Sequence, residues 1–276
     1  MKNLLFPALF LLLGLAACQN DPSIPMCHDP NAAFAALGSD DEFRGAHPAP
    51  LPVSAKHGGK NIEFPVEGGP NGKGFLITSH GNTNKYLLLF HEWWGLNNYV
   101  RNEASMWSHS LGVNVLAVDL YDGKTTAAAD EAAKLMQACD PARAAAIIQG
   151  AAKYAGDNAD FRTMGWCFGG GWSLQAALQL GDKAKACVMF YGMPEKDAGK
   201  LKTLSTDVFV VHAKQDKWIN DEVVNEFKQN MEKAGKKVTV SEYDADHAFA
   251  NPSNPKYNDQ AAKEARMAVK AYLSGK

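Results

Sequence analysis

Gly165-Trp166-Cys167-Phe168-Gly169-Gly170 sets one cysteine midway between two glycines. The spacing suits a strand running straight into a helix through a sharp turn. The middle residue of such a turn is forced to a positive φ, and small neighbours let chain and helix pass closely. Arg162 to Gly165 supply the short strand and Gly170 to Leu180 the helix. Backbone N–H groups at the helix start would stabilise a thiolate, and the N–H of Phe168 would face a developing oxyanion. A cysteine between glycines also fits a small buried hydrophobe. The rest of the chain has to decide.

Around this segment, strands and helices alternate. Tyr86-Leu87-Leu88-Leu89-Phe90 is continuously apolar, as a strand buried on both faces should be. Similar runs occur at Val113 to Val118, Ala186 to Tyr191 and Val208 to Val211, with a weaker one at Val238 to Tyr243. Asn61 to Val66 and Gly74 to Thr78 flank Gly-Gly-Pro-Asn-Gly and predict an opening hairpin. Helices are expected over Arg101 to Leu111, Thr126 to Ala138, Pro141 to Ala155, Phe168 to Leu180, Asp221 to Ala234 and Asp259 to Leu273. The alternation predicts one α/β domain with a mainly parallel central sheet flanked by helices on both faces. Ligands gather at the carboxyl ends of strands in such sheets. His91-Glu92-Trp93-Trp94, Asp119-Leu120-Tyr121, Tyr191-Gly192 and Asp216 fall there, and His247 follows the last strand.

The chain has 276 residues, 46% of them hydrophobic and 21% charged, with a net charge of -2. That is enough for a substantial core, and without a basic block it excludes a nucleic-acid partner. Residues 1–17 read as an export signal: Lys2, then an apolar run from Leu4 to Leu15 too short to span a bilayer. Leu15-Ala16-Ala17-Cys18 looks like a bacterial lipobox, which implies cleavage before Cys18 and lipidation of that residue as the membrane anchor. Ordinary secretion with Cys18 incidental is the alternative. Gln19 after the cysteine favours the periplasmic side of the outer membrane in a Gram-negative cell. Residues 18–52 are expected to be a tether and N-terminal extension with one short helix at Asn31 to Leu37, and residues 53–276 the domain. Met26-Cys27-His28 holds adjacent metal-type ligands, but neighbours in sequence rarely converge on one ion. No C-x-x-C is present, and with Cys167 a free thiol at most one disulfide can form among Cys27, Cys139 and Cys187. The oligomeric state is not legible; a monomer is the default expectation.

Cys167, Asp216 and His247 follow the nucleophile, acid, histidine order of α/β-hydrolases. Asp244 and Asp246 are rival carboxylates, but both lie too near His247 in sequence to orient it from behind. From about Val53 onward the chain resembles the dienelactone hydrolase family. The likeness rests on His91-Glu92-Trp93-Trp94-Gly95-Leu96-Asn97, Asp119-Leu120-Tyr121, the cysteine segment, Asp216 and His247-Ala248-Phe249. It implies the α/β-hydrolase fold, with Cys167 as nucleophile, His247 as base then acid, and Asp216 as its orienter. It further implies Glu92 beside the thiolate and the N–H groups of Trp93 and Phe168 as oxyanion hole. The pattern departs where family arginines read a substrate carboxylate: this chain has Asp122-Gly123-Lys124 at one place and Asn251 at the other. Lys124 cannot reproduce a bidentate fork. Trp94, Tyr121, Lys124, Trp166, Phe249 and Asn251 are the candidate substrate contacts. Trp93, Trp94, Trp166, Trp218 and Phe249 fit either an aromatic pocket or plain core. The expected activity is hydrolysis of a small ester or lactone through an acyl-thioester, with no metal or organic cofactor. The alternatives are acyl transfer or thioester cleavage on the same residues, and an inactive hydrolase scaffold that binds a ligand.

Overall fold

The computed structural model describes residues 30–56 and 58–276. The expected export signal, Cys18 and Met26-Cys27-His28 lie outside the described residues. Eight strands form one sheet: β1 (Lys60–Phe64), β2 (Gly72–Ile77), β3 (Lys85–Phe90), β4 (Asn114–Asp119), β5 (Asp160–Trp166), β6 (Ala184–Phe190), β7 (Val208–Ala213) and β8 (Val238–Tyr243). Their order is β1-β2-β4-β3-β5-β6-β7-β8. β2 runs antiparallel to both neighbours, and every other pairing is parallel. Every residue of β4 and of β7 is buried, as their apolar runs require. The crossover between β3 and β4 reverses the strand order, so the tips of β3 and β5 meet at mid-sheet, where a site is expected.

The helices are α1 (Pro30–Leu37), α2 (Asp41–Ala46), α3 (Asn98–Leu111), α4 (Ala129–Gln137), α5 (Pro141–Ala155), α6 (Phe168–Leu180), α7 (Ala198–Leu201), α8 (Asp221–Lys233) and α9 (Asp259–Ser274). α3 begins three residues earlier than its apolar pattern predicts, because the Asn97 side chain accepts from the N–H of Val100 and caps it. α4 begins later than predicted, at Ala129, with no side chain capping its start. α6 lies against β3, β5 and β6. Its closeness comes from small residues: a Cβ on Gly170 would meet Gly192 Cα at 2.9 Å.

Among the described residues, two helices precede the sheet rather than the single one expected. Asp40 caps α2 by accepting from the N–H of Glu42 at 2.8 Å. α1 packs on α4 and α6, and α2 on α4. This N-terminal arm therefore lies on the domain, fixed at its far end by the Leu51 N–H donating to Ser253 O at 2.6 Å.

Candidate active site

Cys167 sits between β5 and α6 at φ 56° and ψ -121°, the strained turn that the glycine spacing predicts. The two glycines are spatial requirements. A Cβ on Gly165 would stand 2.0 Å from Gly169 O, and one on Gly169 would stand 2.2 Å from Phe90 O. The Cys167 N–H donates to Phe190 O at 2.9 Å, so β6 holds the turn from the other side. Phe168 opens α6, has no carbonyl one turn back, and directs its N–H at the Cys167 sulfur.

His247 and Asp216 complete the arrangement. Asp216 follows β7, and its Oδ1 accepts from the N–H groups of Trp218 at 2.9 Å and Ile219 at 3.0 Å. With that oxygen fixed, Oδ2 meets His247 Nδ1 at 2.5 Å. The rivals turn elsewhere: Asp244 accepts from Gln215 at 2.9 Å and Asp246 pairs with Lys256 at 2.7 Å. Burial works against charge on both partners. Their mutual attraction prevails, drawing the Asp216 carboxyl below its ordinary range and the His247 imidazole well above its own. Burial pushes the Cys167 thiol up, opposed by His247 and by the Phe168 N–H.

Glu92 follows β3 and is also buried, which pushes its carboxyl up to about 7. Asn251 Nδ2 donates to Glu92 Oε2 at 2.5 Å. The amide cannot flip, because Asn251 Oδ1 accepts from the Ser253 N–H at 2.8 Å and its hydroxyl at 2.6 Å. Asn251, expected at the substrate, thus sits beneath the site and holds Glu92. Glu92 Oε1 has no hydrogen-bond partner among the described residues. His91 is a staple: its Nδ1 donates to Glu92 O at 2.6 Å and its Nε2 accepts from the Leu120 N–H at 3.1 Å, which joins the tips of β3 and β4.

The other expected contacts divide. Trp93, Trp94 and Tyr121 are buried beside the site; Trp93 stacks on Trp94 at 4.8 Å, and Tyr121 lies 5.5 Å from Phe168. Trp166 points into the core between Tyr99 and Phe190, and Phe249 packs on Tyr191 and Tyr243. Lys124 is exposed on the loop after β4, and Asp122 pairs with Arg143 at 2.8 Å. Cys187 is buried beside Ser173 with its thiol pushed up to about 11 by burial, a core residue by every measure.

The arm brings in a residue that sequence reasoning missed. His47, directly after α2, packs on Phe43 at 4.1 Å and meets Trp93 at 4.9 Å and His247 at 5.0 Å edge-on. Phe43 is fully buried, edge-on to Trp93 at 5.4 Å and to Trp218 at 5.1 Å. Together they close the site: Cys167 is 2% exposed and His247 4%. Burial, with the charge of His247 beside it, pushes the His47 imidazole down to about 3. The available sequence signal was faint, an Asp cap followed by an aromatic and a histidine one turn apart.

Comparison with known proteins identifies the family and the fold. The dienelactone hydrolase family profile matches residues 73–275. A carboxymethylenebutenolidase candidate of Aquifex aeolicus is 26% identical over 231 residues, covering 78% of this chain and 99% of that protein. Two solved structures share the fold. A dienelactone hydrolase-like promiscuous phosphotriesterase from metagenomic libraries superposes with a TM-score of 0.68 at 22% identity, over 79% of this chain and 98% of its own. A dienelactone hydrolase candidate from Klebsiella pneumoniae gives 0.67 at 18% identity, over 79% and 99%.

Proposed function

The chain belongs to the dienelactone hydrolase family, and on that premise we propose that it is a carboxylic ester hydrolase that opens small esters or lactones through Cys167. The observation that carries the reading is the convergence of a strained cysteine with an imidazole whose far nitrogen is held by a buried carboxylate at 2.5 Å. His247 Nε2 takes the thiol proton and the sulfur attacks the carbonyl carbon. The oxyanion accepts hydrogen bonds from the N–H groups of Phe168 and Trp93. Collapse breaks the acyl C–O bond, and the imidazolium returns its proton to the leaving oxygen. Water, deprotonated by the same nitrogen, then cleaves the thioester. Asp216 fixes the tautomer throughout. Asn251 keeps Glu92 in place beside the sulfur, and burial, by pushing that carboxyl up to about 7, lessens the negative charge set against the thiolate.

Substrate entry requires the arm to lift, since Phe43 and His47 cover the sulfur. With Gly123 and Asn251 where arginines would grip a carboxylate, neutral esters and lactones are the better fit. A panel of aryl esters and small lactones tests the reading against native protein and Cys167→Ala. Turnover should vanish in the variant, and unchanged turnover would sink the proposal. The lipobox at Leu15 to Cys18 supports a lipid-anchored, exported enzyme. Metabolic labelling with a fatty acid should mark the native chain and not Cys18→Ala.

A further inference from the structure

Three side chains from distant parts of the chain meet over the elbow: His47 from the arm, Cys167, and His247 from the loop after β8. Their donor atoms all lie within 4.8 Å of one another, and all three residues are buried. Acyl transfer uses only two of them. His47 is nonetheless turned inward, and its Nδ1 is committed to Phe43 O at 2.6 Å. The tautomer is thereby set, and Nε2 presents a lone pair with no hydrogen-bond partner among the described residues. His247 is arranged alike, with Nδ1 on Asp216 and Nε2 turned to the Cys167 sulfur. A buried polar nitrogen left unpaired is costly, and the one on His47 stands in the cluster that holds the sulfur and His247.

Imidazoles whose outer N–H is held by a carbonyl or carboxylate, with the inner nitrogen bare, have the outer-shell support of metal-binding histidines. Two such nitrogens and a thiolate match the N/S ligand set of zinc, with a fourth position open. We propose that the closed arm completes a His-Cys-His site for a thiophilic divalent cation, and that occupancy shuts off the nucleophile. The proton held between Cys167 and His247 leaves to solvent, both imidazoles bind through Nε2 as neutral ligands, and no electron moves. The sulfur lone pair is then engaged on the ion. Because His47 belongs to the arm, the ion also ties the arm down over the site. The inference rests on the proposed role of Cys167 only for its consequence; binding itself does not depend on turnover.

The test uses the full chain, reduced and stripped by chelator, titrated with Zn²⁺ and separately with Co²⁺. One ion should bind per chain, and the cobalt form should show a thiolate-to-metal charge-transfer band. Ester turnover should fall with the same midpoint and return on chelation. Cys167→Ser should lose the band. Outer-shell losses alone cost metal affinity about 10–100-fold, so His47→Gln, removing a ligand, should cost at least ~100-fold. Phe43→Ala, which loosens the arm and keeps all three ligands, should also bind more weakly, and serves where His47→Gln does not fold. Native affinity in both variants, or a cobalt complex without the band, overturns the site. Normal ion binding by a chain that hydrolyses no ester would instead defeat only the enzymatic reading.

Discussion

The elbow and the arm bring Cys167 and His47 within 4.8 Å of each other, yet the two are held in opposite ways. At the elbow, backbone packs on backbone: Gly165 against Gly169, Gly169 against the end of β3, and Cys167 bonded to β6. Nothing there can move without disturbing three central strands. The arm is held by a few buried rings, chiefly Phe43, and by exposed pairs such as Lys217–Glu42 at 2.5 Å and Arg44–Asp130 at 3.1 Å. Ion pairs at the surface contribute little to stability. Parts held so lightly open on their own, well below the free energy of global unfolding. The rigid half carries the proposed chemistry, and in the proposed function the arm is the cover that opens for substrate.

The largest effect should come from the rigid half. Asp216→Asn keeps the shape but offers His247 the wrong partner, and turnover should drop about 10⁴-fold, as in other triads; steady-state kinetics reads it. Gly169→Ala should cost about 3 kcal/mol or more, since its Cβ would meet Phe90 O at 2.2 Å. Urea unfolding would show a shifted midpoint, and a stable variant would mean the elbow is looser than described. Phe43→Ala addresses the arm alone. Truncating a buried phenylalanine to alanine costs about 3–5 kcal/mol, so the change should raise Cys167 alkylation by iodoacetamide at least ~10-fold while the urea midpoint of the sheet changes little.

Acid should lift the arm as well. His47 is pushed from 6.5 down to about 3, so the folded arm binds fewer protons than the open one across that interval. Docking is then fully favourable above pH 6.5 and weakens as the pH falls towards about 3. Near-ultraviolet circular dichroism from Trp93 and Trp218, whose rings touch His47 and Phe43, should change over that range, and His47→Gln should flatten the change. Smallest of all, Lys217→Ala should raise the alkylation rate less than about fivefold, because the pair it breaks is exposed. A larger rise would move the hinge of the account from Phe43 to the surface.

The same contrast explains what the sequence disclosed. The strands show themselves because each buried run is apolar for its whole length, and the elbow because only glycine tolerates those contacts. Cys167, Asp216 and His247 could be ordered along the chain, and the structure brings them together. The arm left little trace. Asp41–Ala46 offers one apolar anchor in a polar segment, and its helicity depends on a cap and on rings supplied from Trp93 and Trp218. The meeting of His47 with His247, 200 positions later, is a tertiary event that no local pattern encodes. Asn251 was misplaced for a similar reason: its neighbour Ser253 determines which way its amide faces, and so commits it to Glu92.

The most direct measurement is intact-mass spectrometry after rapid quenching of the native enzyme with an activated aryl ester. A single acyl adduct that maps to Cys167, forms within the first turnover and disappears as ester is consumed is the predicted result. Steady hydrolysis with no adduct at Cys167, or with an adduct on another residue, would contradict it.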